Sequence, residues 1–86
     1  MKWNRRRGTV IDAERTPVPG ALVAVEWGTA PTPEIAIETE EKGRFTIALP
    51  DEGRFRLRAT APDGATGLLE IDGADPQEIS IELERK

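Results

Sequence analysis

Gly43-Arg44-Phe45-Thr46-Ile47-Ala48-Leu49-Pro50-Asp51-Glu52-Gly53-Arg54-Phe55-Arg56-Leu57-Arg58-Ala59 contains two runs of apolar and polar residues in strict alternation, separated by Pro-Asp-Glu-Gly. In an extended chain successive side chains point to opposite faces, so Phe45, Ile47 and Leu49 share one face, and so do Phe55, Leu57 and Ala59. A helix would scatter the same residues around its circumference. The intervening residues supply a fixed φ, a carboxylate able to bond its own backbone, and a glycine tolerant of positive φ. The stretch therefore predicts two half-buried strands joined by a tight connection.

The pattern recurs on both sides. Val23, Val25 and Trp27 alternate after Ala21, and Ile35 and Ile37 alternate with Glu34, Ala36 and Glu38. Further on, Leu69 and Ile71 flank Glu70, while Ile79, Ile81 and Leu83 interleave with Ser80 and Glu82. With a first strand ending near Val10, about seven strands are expected. Seven prolines and eight glycines between the runs leave few windows for a helix. Asp75-Pro76-Gln77-Glu78 is the exception, because a capping Asp, Pro at the first helical position and Glu at the third open many helices. Residues 76–84 thus carry two readings, a strand or a short helix. A strand buries Ile79, Ile81 and Leu83 together, and on that ground the strand is preferred.

Length and composition bound the rest. The chain has 86 residues, no Cys and no His, and only 22 apolar residues larger than alanine, enough for one thin core. No apolar stretch reaches the roughly 18–20 residues of a membrane span. The formal charge is −4, yet Lys2, Arg5, Arg6 and Arg7 gather four of the 12 basic groups in the first seven residues, leaving a body with eight against 16 acids. Such a body repels phosphate backbones, which excludes nucleic acid as a partner. Residues 1–7 read as a basic, solvated N-terminal segment leading into the first strand, and residues 8–86 as one all-β domain, a sandwich or a barrel. The apolar stretch of a secretory signal does not follow the basic cluster.

The order of landmarks carries more than composition does. Gly8-x-Val10-x-Asp12, Pro17-Val18-Pro19-Gly20-Ala21-x-Val23, Thr39-x-x-x-Gly43-Arg44-Phe45-x-Ile47, Leu49-Pro50 and Gly53-Arg54-Phe55-x-Leu57-x-Ala59 together resemble the carboxypeptidase regulatory-like domain. The resemblance implies an all-β, transthyretin-like (prealbumin-like) sandwich of about seven strands with Greek-key-type connections. It also implies a non-catalytic module that supports or docks other domains. For an excised domain it implies a periplasmic, secreted or cell-surface setting, and otherwise the chain is expected in the cytoplasm. The sequence departs from the family pattern in Glu40 for Asp, Phe55 for Tyr and the missing Gly-Tyr after the fifth strand. One branch of the wider fold group hydrolyses 5-hydroxyisourate, with a His/Arg site and a terminal Tyr-Arg-Gly-Ser; without His or Tyr this chain cannot carry it.

The remaining chemistry is sparse. Ser80, the lone serine, has no imidazole to take its proton, and the acidic turns at Asp51 and Asp72–Asp75 match no dense loop of calcium ligands. Neither a catalytic residue, a metal site nor a cofactor is expected. Arg54, Arg56 and Arg58 form the least ordinary feature, a positive row about 13 Å long on one face of a strand. They read as partners for acid rows such as Glu34/Glu38 or Glu78/Glu82/Glu84, or as a face that docks an acidic protein partner or a neighbouring domain. Trp3 and Trp27 carry the alternative of a small carbohydrate-binding module, since exposed planar rings stack on sugars. Trp27 has the parity of Val23 and Val25, which predicts its burial instead.

Overall fold

The structure, a computed structural model, describes residues 3–30, 36–75 and 77–84. The alternating runs become strands: β1 (Trp3–Ile11), β2 (Leu22–Gly28), β3 (Ile37–Glu38), β4 (Arg44–Pro50), β5 (Arg54–Thr60), β6 (Thr66–Asp72) and β7 (Ile79–Glu82). They make a three-stranded sheet in the order β4-β1-β7 and a four-stranded sheet in the order β3-β2-β5-β6. β1 and β7 run parallel, and the other ladders are antiparallel. Among the described residues there is no helix, and hence none long and apolar enough to cross a membrane. Glu34, Ile35 and Pro76 lie outside the described residues. The Asp75 carboxylate accepts the Gln77 N–H at 3.0 Å, β7 buries Ile79 and Ile81, and Leu83 just beyond it is buried as well. Alternation thus prevails over the helix-start signature.

The sheets close over Val10, Ile47, Leu49 and Ile81 from one side and Val23, Phe55 and Leu57 from the other. Each such side chain contributes roughly 1.5–3 kcal/mol by leaving water. The two phenylalanines set the thickness of the layer, and each lies opposite a glycine of the neighbouring strand. Phe45 pairs with Gly8 and Phe55 with Gly28. A Cβ on Gly28 would sit 2.7 Å from Phe55 Cδ1, so only a glycine leaves the ring its place.

Thr39 ties the loops of one end together. It is buried; its Oγ1 accepts the Ala21 N–H at 2.9 Å and donates to the Val18 carbonyl at 2.8 Å. The Pro17–Ala21 turn is thereby held against the stretch that leads into β4. Gly43 completes the join with φ +72°, a conformation that costs most other residues, and its carbonyl accepts the Val10 N–H at 2.8 Å. Threonine and glycine at these two landmarks are explained by packing alone.

The basic segment is not a solvated end. Arg5, Arg6 and Arg7 lie within β1, and consecutive residues in a strand cannot all face water. Arg6 shares the inward parity of Gly8 and Val10 and is buried. Its Nη1 donates to the carbonyls of Asp72 (3.3 Å) and Gly73 (3.4 Å), and its Nη2 to that of Gln77 (3.1 Å). A buried guanidinium is tolerable only when its donors are satisfied, and here the loop between β6 and β7 satisfies them.

Candidate docking face

β5 lies inside the four-stranded sheet, so its outward side chains occupy the middle of that sheet's exposed surface. Phe55, Leu57 and Ala59 are fully buried, which fixes Arg54, Arg56 and Arg58 on the outside. The register then fixes their neighbours. Arg58 lies between Ala24 and Leu68, Arg56 between Trp27 and Glu70, and Arg54 beside Asp72.

Glu34 lies outside the described residues; among those described, the acids that meet the arginines are Glu26 and Glu70 and not Glu38, Glu78, Glu82 or Glu84. Arg58 Nη2 lies 2.7 Å from Glu26 Oε1, Arg56 Nη1 3.9 Å from Glu26 Oε2, and Arg56 Nη2 3.1 Å from Glu70 Oε1. Glu38 precedes Thr39 at the far side of β2, and Glu78, Glu82 and Glu84 belong to the opposite sheet's margin, so none stands across from β5. Adjacency in a sheet decides pairing, and β5 is adjacent to β2 and β6. Among the described residues Arg54 has no carboxylate within 4 Å; its backbone N–H donates to Thr29 Oγ1 at 2.9 Å.

Trp27 departs from its expected burial for a local reason. The β2–β5 register slips between Val25 and Trp27, leaving Glu26 as the extra residue of a bulge. Beyond the bulge the parity inverts: Trp27 falls opposite the outward Arg56, and Gly28 opposite the inward Phe55. The space that Trp27 would have filled is already taken by the Phe55 ring. Trp27 is consequently 48% exposed, on the same surface as Leu22 and Leu68. Trp3 is equally open but lies on β1, in the other sheet, with the outward parity of Arg5 and Arg7. The two rings do not share a face.

The face combines three large apolar side chains, a row of guanidinium groups and the carboxylates that orient two of them. Such an arrangement can bind; it places no nucleophile beside a base. Ser80 is exposed on β7, in the other sheet. Among the described residues no group of three or more acids gathers to hold a metal ion. The residue that sequence reading missed was Glu26. Its signal was the phase break implied by a glycine needed opposite Phe55, which is visible only once β2 and β5 are known to pair.

No curated protein matches the chain. The family model of the carboxypeptidase regulatory-like domain matches residues 7–84, which includes all seven strands but for the first residues of β1. Those domains are non-catalytic regulatory modules built as β-sandwiches. With Thr39 and Gly43 in their structural roles and both sheets closed over Phe45 and Phe55, the chain belongs to the carboxypeptidase regulatory-like domain family.

Proposed function

We propose that this chain is a non-catalytic protein-docking module whose contact surface is the outer face of the four-stranded sheet. The observation that carries this reading is the exposure of Leu22 (49%), Trp27 (48%) and Leu68 (53%) among Arg54, Arg56 and Arg58. Large apolar side chains interleaved with arginines on one rigid face suit an interaction surface, since tryptophan and arginine supply most strong anchor points in protein interfaces. The mechanism is display. The strands fix the backbone that carries these side chains, so the ordering cost of binding is confined to side-chain rotamers. Glu26 and Glu70 hold Arg56 and Arg58 in place until an acidic partner group competes for them. Affinity capture with the chain as bait tests this. Replacing Trp27 by Ala together with Arg54, Arg56 and Arg58 by Gln is expected to weaken capture by roughly 30-fold or more while unfolding shifts only slightly. Equal loss of binding and fold would defeat the proposal.

The half-exposed Trp27 ring favours one second reading, a small carbohydrate-binding module in which this ring stacks on a pyranose. A Trp3→Phe variant isolates Trp27 fluorescence. Soluble glycans that change its emission support the sugar reading, and unchanged emission with every glycan removes it.

A further inference from the structure

We propose that the open edge of β6 binds a strand of a partner protein in which apolar residues alternate with basic ones. The inference rests on the protein-docking reading and adds a second surface with its own occupant.

β6 is the last strand of its sheet, and its register with β5 is unbroken from Thr60↔Thr66 to Arg54↔Asp72. The Thr66 carbonyl accepts the Glu84 N–H at 2.7 Å on the side away from β5, and the Asp72 carbonyl accepts the Asp75 N–H at 3.1 Å. Peptide groups point alternately to the two sides of a strand, so Leu68 and Glu70 aim their N–H and C=O the same way. Among the described residues no strand or bridge meets that edge between Thr66 and Asp72. Natural edges are commonly guarded by proline, lysine or a bulge, and β6 has none of these; its guards are the acids Glu70 and Asp72, which repel an acidic strand and not a basic one.

A groove of about 340 Å³ runs beside this edge, toward β7. Its apolar lining is Leu69, Ile71 and Ile79, and its rim carries Glu70, Asp72, Asp75 and Glu78. Arg6, its lone lining cation, already donates to three carbonyls. Glu70 already meets Arg56, but Asp72, Asp75 and Glu78 meet no cation among the described residues, and three such carboxylates against one committed guanidinium select a cationic partner. β5 displays the complement on the other edge: Leu57 and Phe55 face Leu69 and Ile71, and Arg56 and Arg54 face Glu70 and Asp72. A strand added outside would meet the same rows from the opposite side. β6 of a second copy would instead set Glu70 and Asp72 against like charges.

The probe is an end-capped peptide with the sequence of residues 54–60, titrated into the isotope-labelled full chain. Amide resonances of Leu68 and Glu70 are expected to shift, their hydrogen exchange to slow by roughly tenfold or more at saturation, and affinity to fall with added salt. Leu68→Pro removes an edge-facing N–H without touching the β5 ladder and should weaken binding about tenfold; Leu68→Thr, which keeps the N–H, should weaken it about threefold or less. Should Leu68→Pro not fold, the wild-type shift map decides alone. Shifts centred on Trp27 and Arg56 would overturn the edge site while leaving the docking face standing. Equal binding of a peptide with glutamates in place of the arginines would overturn the basic partner. Dimerisation through β6 with rising concentration would overturn it in favour of a second copy, and absence of any peptide binding would overturn the edge itself.

Discussion

Arg6 and Arg56 carry the same guanidinium in opposite settings, and the contrast separates what holds this sandwich together from what it offers. Arg6 is buried, faces inward from β1 and donates only to carbonyls. Arg56 faces outward from β5, with 42% of its side chain exposed, and meets the carboxylates of Glu26 and Glu70. A buried charge stripped of its partners is costly, whereas an exposed ion pair is worth little because water and salt screen it. The difference arises from sequence spacing. Three consecutive arginines force one of them inward, while three alternating arginines all stay out.

The largest expected effect tests the buried member. Arg6→Ala leaves three carbonyls without their donor and opens the space beneath the β6–β7 loop, for a loss of about 2–4 kcal/mol. For a domain of this size that is a fall in melting temperature of roughly 10–20 °C or more. Because its hydrogen-bond partners among the described residues are carbonyls, most of the loss should persist at high salt, with only the smaller share from the nearby acids screened. A loss below about 1 kcal/mol, as for an exposed pair, would erase the contrast.

Next in size is the bulge that brings Glu26 to the exposed arginines. Gly28→Val places a side chain against the Phe55 ring, where even a Cβ would lie at 2.7 Å, and is expected to cost about 1–3 kcal/mol. Relief would come from the β2 end pulling away from β5, so Trp27 emission should change together with stability. A stable variant with unchanged emission would mean that the bulge does not depend on Phe55.

These two sites also mark where the sequence stopped being legible. β5, β7 and β4 up to Leu49 alternate without interruption, and their inward residues, from Phe45 to Ile81, are buried as the period-two pattern requires. The turn between β4 and β5 was legible too: Gly53, the residue read as tolerant of positive φ, has φ +92°. Parity counted back from Val10 through Gly8 reaches Arg6, so its inward direction lay in the sequence, although charge pointed the other way. The exposure of Trp27 could not be read so locally. It depends on which residue of β5 stands opposite, and pairing partners are set by topology, as the choice of Glu26 and Glu70 over the expected acids also shows.

A smaller effect tests the exposed arginines directly. Glu26→Gln removes the carboxylate that Arg58 meets at 2.7 Å and Arg56 at 3.9 Å. With all three side chains partly in water, the cost should stay below about 1 kcal/mol and shrink further in salt. A larger, salt-independent cost would place Arg56 and Arg58 in the same class as Arg6.

The smallest effect is a pH dependence at a further exposed pair, outside the β5 face. Glu40 Oε1 lies 3.5 Å from Arg44 Nε, in the turn that enters β4, and accepts the Lys42 N–H at 2.9 Å and the Arg44 N–H at 3.4 Å. Partial desolvation pushes the Glu40 carboxyl up, but the two N–H groups and the Arg44 guanidinium together outweigh it and hold the group below its ordinary value of 4.5. A carboxylate with a depressed folded-state pKa binds its proton more readily when unfolded, so stability rises with pH across that window. The contribution of Glu40 is fully present above pH 4.5 and disappears as the pH falls through the folded value. Glu40→Gln should therefore flatten the acid limb of the stability curve slightly and leave neutral pH almost unchanged. Arg6→Ala should instead lower the curve at every pH, since its carbonyl partners do not titrate. Parallel acid limbs in wild type and Glu40→Gln would show that this turn, like the rest of the exposed charge, is held by geometry and not by ionisation.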